Sequence, residues 1–303
     1  MALETAVLLK HIEIKNGIVL EGELLKKYQR YLLEMADDIV YVFEKNNINY
    51  NLSGGSALGA VRHGGFIPWD DDMDFNIFGK DYERFVECFN REFREKYNVQ
   101  YYKTPNYGLA FIRIRKKGTV YRNHLDVSEK EENSGFSMDI FLMENVYDNA
   151  ILRFFHGVLC MFCGLMLSSR KFYSNRAFFK ELARNVPAIK VTVGIKVFIG
   201  GLVSFFSLEK WAEITDKCHG LCKNEKSNYI TIPTGRHHYF GEIYKREDME
   251  NTIILPFEGR NWKVARGYDS YFRALYGDDY MTPPPENKRE KHVILELKFP
   301  EDM

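Results

Sequence analysis

The run Trp69-Asp70-Asp71-Asp72-Met73-Asp74-Phe75 concentrates the residues best able to do chemistry. Side chains alternate faces along an extended strand, so Asp72 and Asp74 share one face while Asp71 and Met73 share the other. Two carboxylates side by side repel by roughly 4 kcal/mol at an effective dielectric of 20. Such a pair makes sense if a cation neutralises it. Oxygen-only ligands at this spacing suit Mg²⁺ or Mn²⁺, which keep several waters and also take substrate phosphates. The competing reading is an acidic loop facing solvent. It fits poorly, because Ile67, Trp69, Met73, Phe75 and Ile77 surround the run. A third carboxylate, Asp139, interrupts the apolar stretch Phe136-Ser137-Met138-Asp139-Ile140-Phe141. Asp is disfavoured inside a strand, and a buried one needs a partner or a metal. A satisfied structural Asp is the alternative. Upstream, Gly54-Gly55-Ser56 follows a short strand and precedes a helix, where backbone N–H groups can hold a phosphate.

Several elements must position these groups. Residues 23–45 carry Leu24, Leu25, Tyr28, Leu32, Met35, Ile39 and Val42 at helical spacing. An extended piece, 48–52, runs into the Gly-Ser segment, read as a loop, and SALGAVRH reads as a short helix closed by a turn at 64–68. Residues 72–78 alternate like a strand, 81–97 read as a helix, and 109–115 and 136–142 read as strands. A leading helix followed by mixed strands and helices predicts an α/β (α+β) core with a mixed sheet flanked by helices. The chain is expected to divide into a catalytic core over 1–150, an insertion over 151–208 and a C-terminal helical part over 209–303 that completes the active site.

Charge sets the insertion apart. The 303 residues carry 42 basic and 42 acidic side chains and 45% apolar ones, which excludes a disordered chain and argues against a globally basic nucleic-acid binder. Residues 153–208 hold eight Lys/Arg against the single acid Glu181, so that segment is +7 and the remainder −7. Two apolar stretches lie within it, 154–169 and 191–208, interrupted by His156 and Lys196. They read either as buried helices or as helices resting on an anionic membrane surface. Five cysteines, an odd count, argue against a secreted disulfide framework. Cys160, Cys163, Cys218 and Cys222 can be written as zinc ligands, but free cysteine in an apolar run is usually a small hydrophobe. The N-terminal MALETAVLLKHIEIKNG has no basic n-region and no long apolar h-region, so no signal peptide is expected. The expected location is the cytoplasm, with peripheral contact at the inner face of the membrane the variant that the basic insertion suggests.

A Gly-Ser segment, two Asp on one strand and a third Asp on another resemble the site of polymerase-β-like nucleotidyltransferases. The resemblance narrows over Gly54 to Phe78: GGSALGAVRHGGFIPWDDDMDFNIF is similar to the signature of the LicD family of phosphocholine transferases. Met138-Asp139-Ile140-Phe141 resembles that family's later D-I-F, and Phe257-Glu258-Gly259 its F-E-G. The stretch 275–284, followed by Lys288, Arg289 and His292, resembles its C-terminal YGDYM element. The chain departs at Ala265-Arg266, where the family usually has a proline. The insertion resembles nothing we can name.

The resemblance implies a nucleotidyltransferase-like fold and transfer of phosphocholine, or a related phospho-alcohol, from CDP-choline or another CDP-alcohol. The acceptor would be a sugar hydroxyl of a cell-surface glycan (a teichoic acid or lipopolysaccharide) or its lipid-linked precursor, with CMP released. Asp72, Asp74 and Asp139 would then hold Mg²⁺ or Mn²⁺ and carry catalysis, Asp139 alternatively taking the acceptor's proton. Gly55 and Ser56 would cradle a phosphate. Arg62 and His63 would reach phosphate oxygens or remain an ordinary exposed pair. Arg113 and Arg115 share one strand face, and Arg115 is the expected diphosphate contact unless that edge is simply solvated. A choline headgroup would need an aromatic cage, with Trp69 and Tyr276 the leading candidates among the tyrosines at 107, 268 and 271. Two other functions stay open: nucleotidyl transfer, with attack at the α-phosphorus and diphosphate leaving, and a non-catalytic scaffold in glycan assembly.

Overall fold

A computed structural model describes residues 17–122, 134–289 and 294–302. The N-terminal stretch on which the absence of a signal peptide rests, and His292, lie outside the described residues.

Helix α1 (Gly22–Lys45) buries Leu25, Tyr28, Leu32, Met35, Ile39 and Phe43 and turns its charged residues outward, as an apolar stripe at 3.6-residue spacing requires. The chain then forms β1 (Tyr50–Leu52), α2 (Gly54–His63), β2 (Asp74–Phe78), α3 (Tyr82–Phe93), β3 (Tyr97–Gln100), β4 (Ile112–Lys116), β5 (Val120–Arg122) and β6 (Ser137–Val146). The insertion follows as α4 (Ala150–Ser174), α5 (Arg176–Asn185) and α6 (Lys190–Leu202), then α7 (Leu208–His219). The C-terminal part holds β7 (Tyr229–Thr231), α8 (His238–Gly241), β8 (Ile243–Lys245), α9 (Arg246–Glu250), β9 (Thr252–Phe257), β10 (Arg260–Ala265), α10 (Tyr268–Tyr276) and β11 (Glu296–Lys298).

The result is a mixed α/β fold. Its main sheet runs β1-β2-β6-β4-β3, with β7 continuing along the far end of β6 and β8 beyond it. β2 and β6 are parallel; β1–β2, β6–β4, β4–β3 and β6–β7 are antiparallel. One large apolar core, including Leu32, Phe43, Phe75, Phe85, Ile140 and Trp262, joins α1, α3, the sheet and the β9–β10 hairpin. Several elements differ from the sequence reading: β2 begins at Asp74, β4 at Ile112, β6 runs on to Val146, and the C-terminal part expected to be helical carries β7 to β11 among its helices. The expected 81–97 helix ends at Phe93, and the chain enters β3 at Tyr97. The Gly54-Gly55-Ser56 segment is not a loop but the first turn of α2.

Two turns hold the piece that matters. Helix α2 ends at Gly64, whose φ of 67° is left-handed; its N–H reaches the Ala60 carbonyl, and Gly65 N–H reaches back to Gly59, the arrangement that closes helices on glycine. The β9–β10 hairpin turns through Glu258 and Gly259, both at positive φ, between the paired Phe257 and Arg260, as a tight two-residue hairpin demands. That turn clamps the first. Glu258 N–H donates to the Gly64 carbonyl, and the Glu258 carboxylate accepts from Phe66 N–H. The F-E-G residues therefore fix where the chain leaves α2 and begins its approach to the acidic run.

Candidate active site

Sheet register brings the acids together. Asp74, the first residue of β2, lies opposite Asp139 in the parallel pairing with β6, and Asp139 lies opposite Arg113 in the antiparallel pairing with β4. Directly opposed side chains in a sheet share a face with Cβ atoms about 5 Å apart. Asp74, Asp139 and Arg113 thus form a row across three strands. Arg113 grips Asp139 through both oxygens, Nε to Oδ1 at 2.6 Å and a terminal nitrogen to Oδ2 at 2.8 Å. This fork geometry is the strong form of the interaction. Asp139 therefore meets the site already paired with a guanidinium.

Asp72 lies in extended chain two residues before β2. Burial alternates along the run: Asp71 and Met73 are buried, Asp72 and Asp74 half-buried. Asp71 faces inward, where Tyr121 Oη donates to it at 3.4 Å. Asp70, which the sequence reading passed over, turns back toward α2. An added Cβ on Gly55 would stand 2.7 Å from Asp70 Oδ2, so glycine is required for that approach. Burial pushes the Asp70 carboxyl well above the usual carboxylate range, and the charges of Asp72 and Asp71 push it the same way. Its backbone is pinned by Gln29, whose amide donates to the Asp70 carbonyl at 2.8 Å.

The start of α2 is locked to the start of β2. Ser53 N–H donates to the Asp74 carbonyl, and Asp74 N–H donates to Ser56 Oγ at 2.9 Å. Ser56 is thus buried and committed to positioning. Helix α10 covers this end: Gly54 N–H donates to Tyr271 Oη at 3.0 Å, and Tyr276 Oη stands over Gly54. Burial raises the Tyr276 phenol well above its ordinary value, and the charges of Tyr271 and Asp70 act in the same direction. Arg62 reaches the Tyr280 carbonyl at 2.7 Å and donates through Nε to His63 Nε2 at 2.9 Å. His63 is exposed, and burial and the Arg62 charge lower its pKa.

Gly55, Ser56, Asp72, Asp74, Asp139 and Tyr276 therefore gather around the α2 N-terminus and the beginnings of β2 and β6, while Arg62, in the last turn of α2, feels the charges of Tyr276 and Asp70 from the other end of the helix. Arg115 does not join them. It is fully buried, with Nε on Gln100 Oε1 at 2.9 Å and a terminal nitrogen on the Gly135 carbonyl at 3.0 Å. The arginine of that strand face that borders the acids is Arg113. Trp69 borders the run, but the Arg289 guanidinium lies 4.2 Å from its ring centroid, so one ring face is taken. Tyr271 spends its hydroxyl on Ser53 and Gly54. The five cysteines are buried and unbridged. Among the described residues, no three His, Cys, Asp or Glu side chains form a ready metal-ligand set. Mg²⁺ does not need one, since one or two carboxylates plus substrate phosphates usually hold it. Asp72 and Asp74 offer hard oxygens, and the upward shift that their neighbour Asp70 takes from burial and from the Asp72 and Asp71 charges reflects the crowding of acids there.

Gly55→Ala tests this approach. The added methyl must displace the Asp70 carboxylate, the movable end of a side chain. The variant should fold with stability changed by about 1 kcal/mol or less, while turnover falls at least about tenfold. Unchanged turnover would show that Asp70 need not stand against α2.

Comparison with known proteins follows this geometry. Residues 47–163 match the family described as LicD/FKTN/FKRP, nucleotidyltransferase domain. The lipopolysaccharide cholinephosphotransferase LicD of Haemophilus influenzae is 27% identical over 274 residues, covering 90% of this chain and 97% of that protein. The ribitol 5-phosphate transferase FKRP of human and of mouse is 50% identical over 52 residues, 17% of this chain and 10% of FKRP.

Proposed function

Because this chain carries a LicD-family domain, we propose that it is a phospho-alcohol transferase acting on a glycan. In this reading it moves phosphocholine or a related phospho-alcohol from a CDP-linked donor to a sugar hydroxyl and releases CMP. The observation that carries the reading is the crowding of Asp70, Asp72 and Asp74 against the glycine-opened N-terminus of α2. That helix end is positive by virtue of its first-turn N–H groups, of which Gly54 N–H is held by Tyr271 Oη. A diphosphate ester placed there meets backbone donors on one side and the acids on the other. The acids make sense beside a polyanion only with a cation between, and Asp72 and Asp74 would hold Mg²⁺ or Mn²⁺. When bound, that ion supplies neutralisation of charge on the transferred phosphoryl group.

The remaining roles fall to the chain's own groups. The Arg113 guanidinium, tied to Asp139, holds positive charge at the edge of the row and orients that carboxylate. Because both Asp139 oxygens engage Arg113, the acceptor's proton is better taken by Asp70. A carboxylate whose proton affinity is already raised is closer to a working general base. Tyr276 and Trp69 supply aromatic surface near the donor's alcohol, although Arg289 covers part of Trp69. Ser56 acts by position, joining α2 to the first residue of β2.

The test is incubation with Mg²⁺, a glycan acceptor and a panel of CDP-alcohols, with the nucleotide product identified. CMP release from one CDP-alcohol in preference to the others is expected. No nucleotide release across the panel, with consumption of a nucleoside triphosphate instead, would favour nucleotidyl transfer.

A further inference from the structure

The insertion presents an apolar surface that the transferase site does not use. Helix α4 is long and apolar enough to cross a bilayer, but one side of it is anchored to the body. His156 Nε2 contacts the Cys218 carbonyl at 2.9 Å, its Nδ1 meets Tyr239 Oη at 3.1 Å, and Cys160, Cys163 and Phe172 are buried. The opposite side is open. Ile151 is 67% exposed, Phe155 65% and Phe162 52%; on α6, packed beside α4, Val191 is 72% exposed, Phe198 67% and Leu202 63%. On each helix these positions recur at helical spacing, so each turns an apolar stripe to solvent. Exposed apolar area of this kind marks a binding surface.

Charge decides what covers it. Of the eight basic residues of the insertion, Arg153 and Arg176 donate to the Tyr147 and Tyr173 carbonyls, and the other six fall into two sets. Arg170 donates to the Phe206 carbonyl, Lys171 to the Tyr107 carbonyl and buried Lys196 to Ser168 Oγ. Those three are spent inside the fold. Lys180 and Arg184 on α5 and Lys190 at the start of α6 are exposed. A second copy of the chain meeting this surface by two-fold symmetry would set like charges against like. An anionic bilayer complements both features, with apolar side chains at the acyl boundary and Lys/Arg among the headgroups.

We propose that α4, α5 and α6 form a membrane-surface platform that lies on, and does not span, a bilayer rich in anionic lipid. None of its residues belongs to the carboxylate site, so its failure would leave the transferase reading intact.

Co-sedimentation of the full chain with vesicles of phosphatidylcholine alone, or mixed with phosphatidylglycerol, tests it. Binding is expected on the mixed vesicles and should weaken as salt rises, because exposed charges are screened. Each basic residue near an anionic surface strengthens binding by about fivefold, so Lys180→Glu, Arg184→Glu and Lys190→Glu together should lower the partition coefficient about a hundredfold or more. Phe155→Ser with Phe198→Ser should lower it on the same vesicles, with far-UV circular dichroism unchanged. The salt series on the unmodified protein needs no variant to fold. No binding, or equal binding to neutral and anionic vesicles, would overturn the proposal. So would a dimer in sedimentation that the two phenylalanine changes dissociate, since a second copy would then be the occupant.

Discussion

Asp72→Asn should abolish transfer, by about a thousandfold or more, and leave the protein as stable as before or more so when metal is absent. The loss follows from removing a carboxylate that would hold the cation at the transferred phosphoryl group, where electrostatic stabilisation is usually the largest single contribution. The gain follows from the crowding. The Asp72 charge raises the Asp70 carboxyl, second only to burial, and Asn removes that repulsion while keeping the shape. The pH dependence has a definite sign. A carboxyl whose pKa is raised in the folded state binds its proton more tightly there than in the unfolded chain, so unfolding releases a proton. Its contribution to stability is then complete below the ordinary carboxylate range and is lost as pH rises through that range toward the raised value. In EDTA the unmodified protein should therefore melt lower as pH climbs above the ordinary carboxylate range. Asp72→Asn and Asp70→Asn should each reduce that slope, the second more; buried Glu144, Glu242 and Asp216, whose carboxyls burial also raises, supply the remainder. Thermal melts across pH in EDTA, beside turnover in Mg²⁺, check both halves. Turnover near that of the unmodified protein in Asp72→Asn would remove the acid pair from the mechanism.

Donor and cation should also stabilise the protein together far more than either does alone. A CDP-alcohol, or CDP itself, brings two phosphates to a site lined with carboxylates, so without a divalent ion it should bind weakly. With Mg²⁺ or Mn²⁺ the same concentration should raise the melting temperature. At a hundredfold excess over Kd the stabilisation is about 2.7 kcal/mol, a shift of about 4 °C for a chain of this size. Asp74→Asn should erase the metal-dependent part. Equal shifts with and without the divalent ion would mean that the diphosphate is held by arginines and backbone alone, with the carboxylates serving another purpose.

What could be read from the sequence was mostly local. The apolar spacing of Leu25, Tyr28, Leu32 and Ile39 specifies α1, and Gly64 marks the end of α2. The alternation at Asp71, Asp72, Met73 and Asp74 specifies which acids face the core and which face the site. An Asp within the apolar run at 136–141 stands out as needing a partner. Which partner was not legible. Arg113 and Arg115 sit two residues apart on the same strand face, and only the β4–β6 register sets one opposite Asp139 and the other opposite Ser137, where it is buried on Gln100 and the Gly135 carbonyl. Register is a long-range property that a two-residue period cannot supply. Asp70 was hidden for a similar reason. In a run of three consecutive acids nothing local distinguishes it, and its importance comes from Gly55, fifteen residues earlier and on another element. Of the two readings of the insertion, the buried one describes the side of α4 that carries Cys160, Cys163 and Phe172, while the other side is exposed, which periodicity alone could not assign.

The decisive measurement follows phosphorus. With Mg²⁺, a CDP-alcohol and a glycan acceptor, ³¹P NMR of the reaction should show the β-phosphorus becoming a phosphodiester that joins the alcohol to the sugar, as CMP accumulates in equal amount. Gain of the phospho-alcohol mass by the glycan should accompany it. A cytidylylated acceptor with free phospho-alcohol released would instead place attack at the α-phosphorus and contradict transfer of the phospho-alcohol.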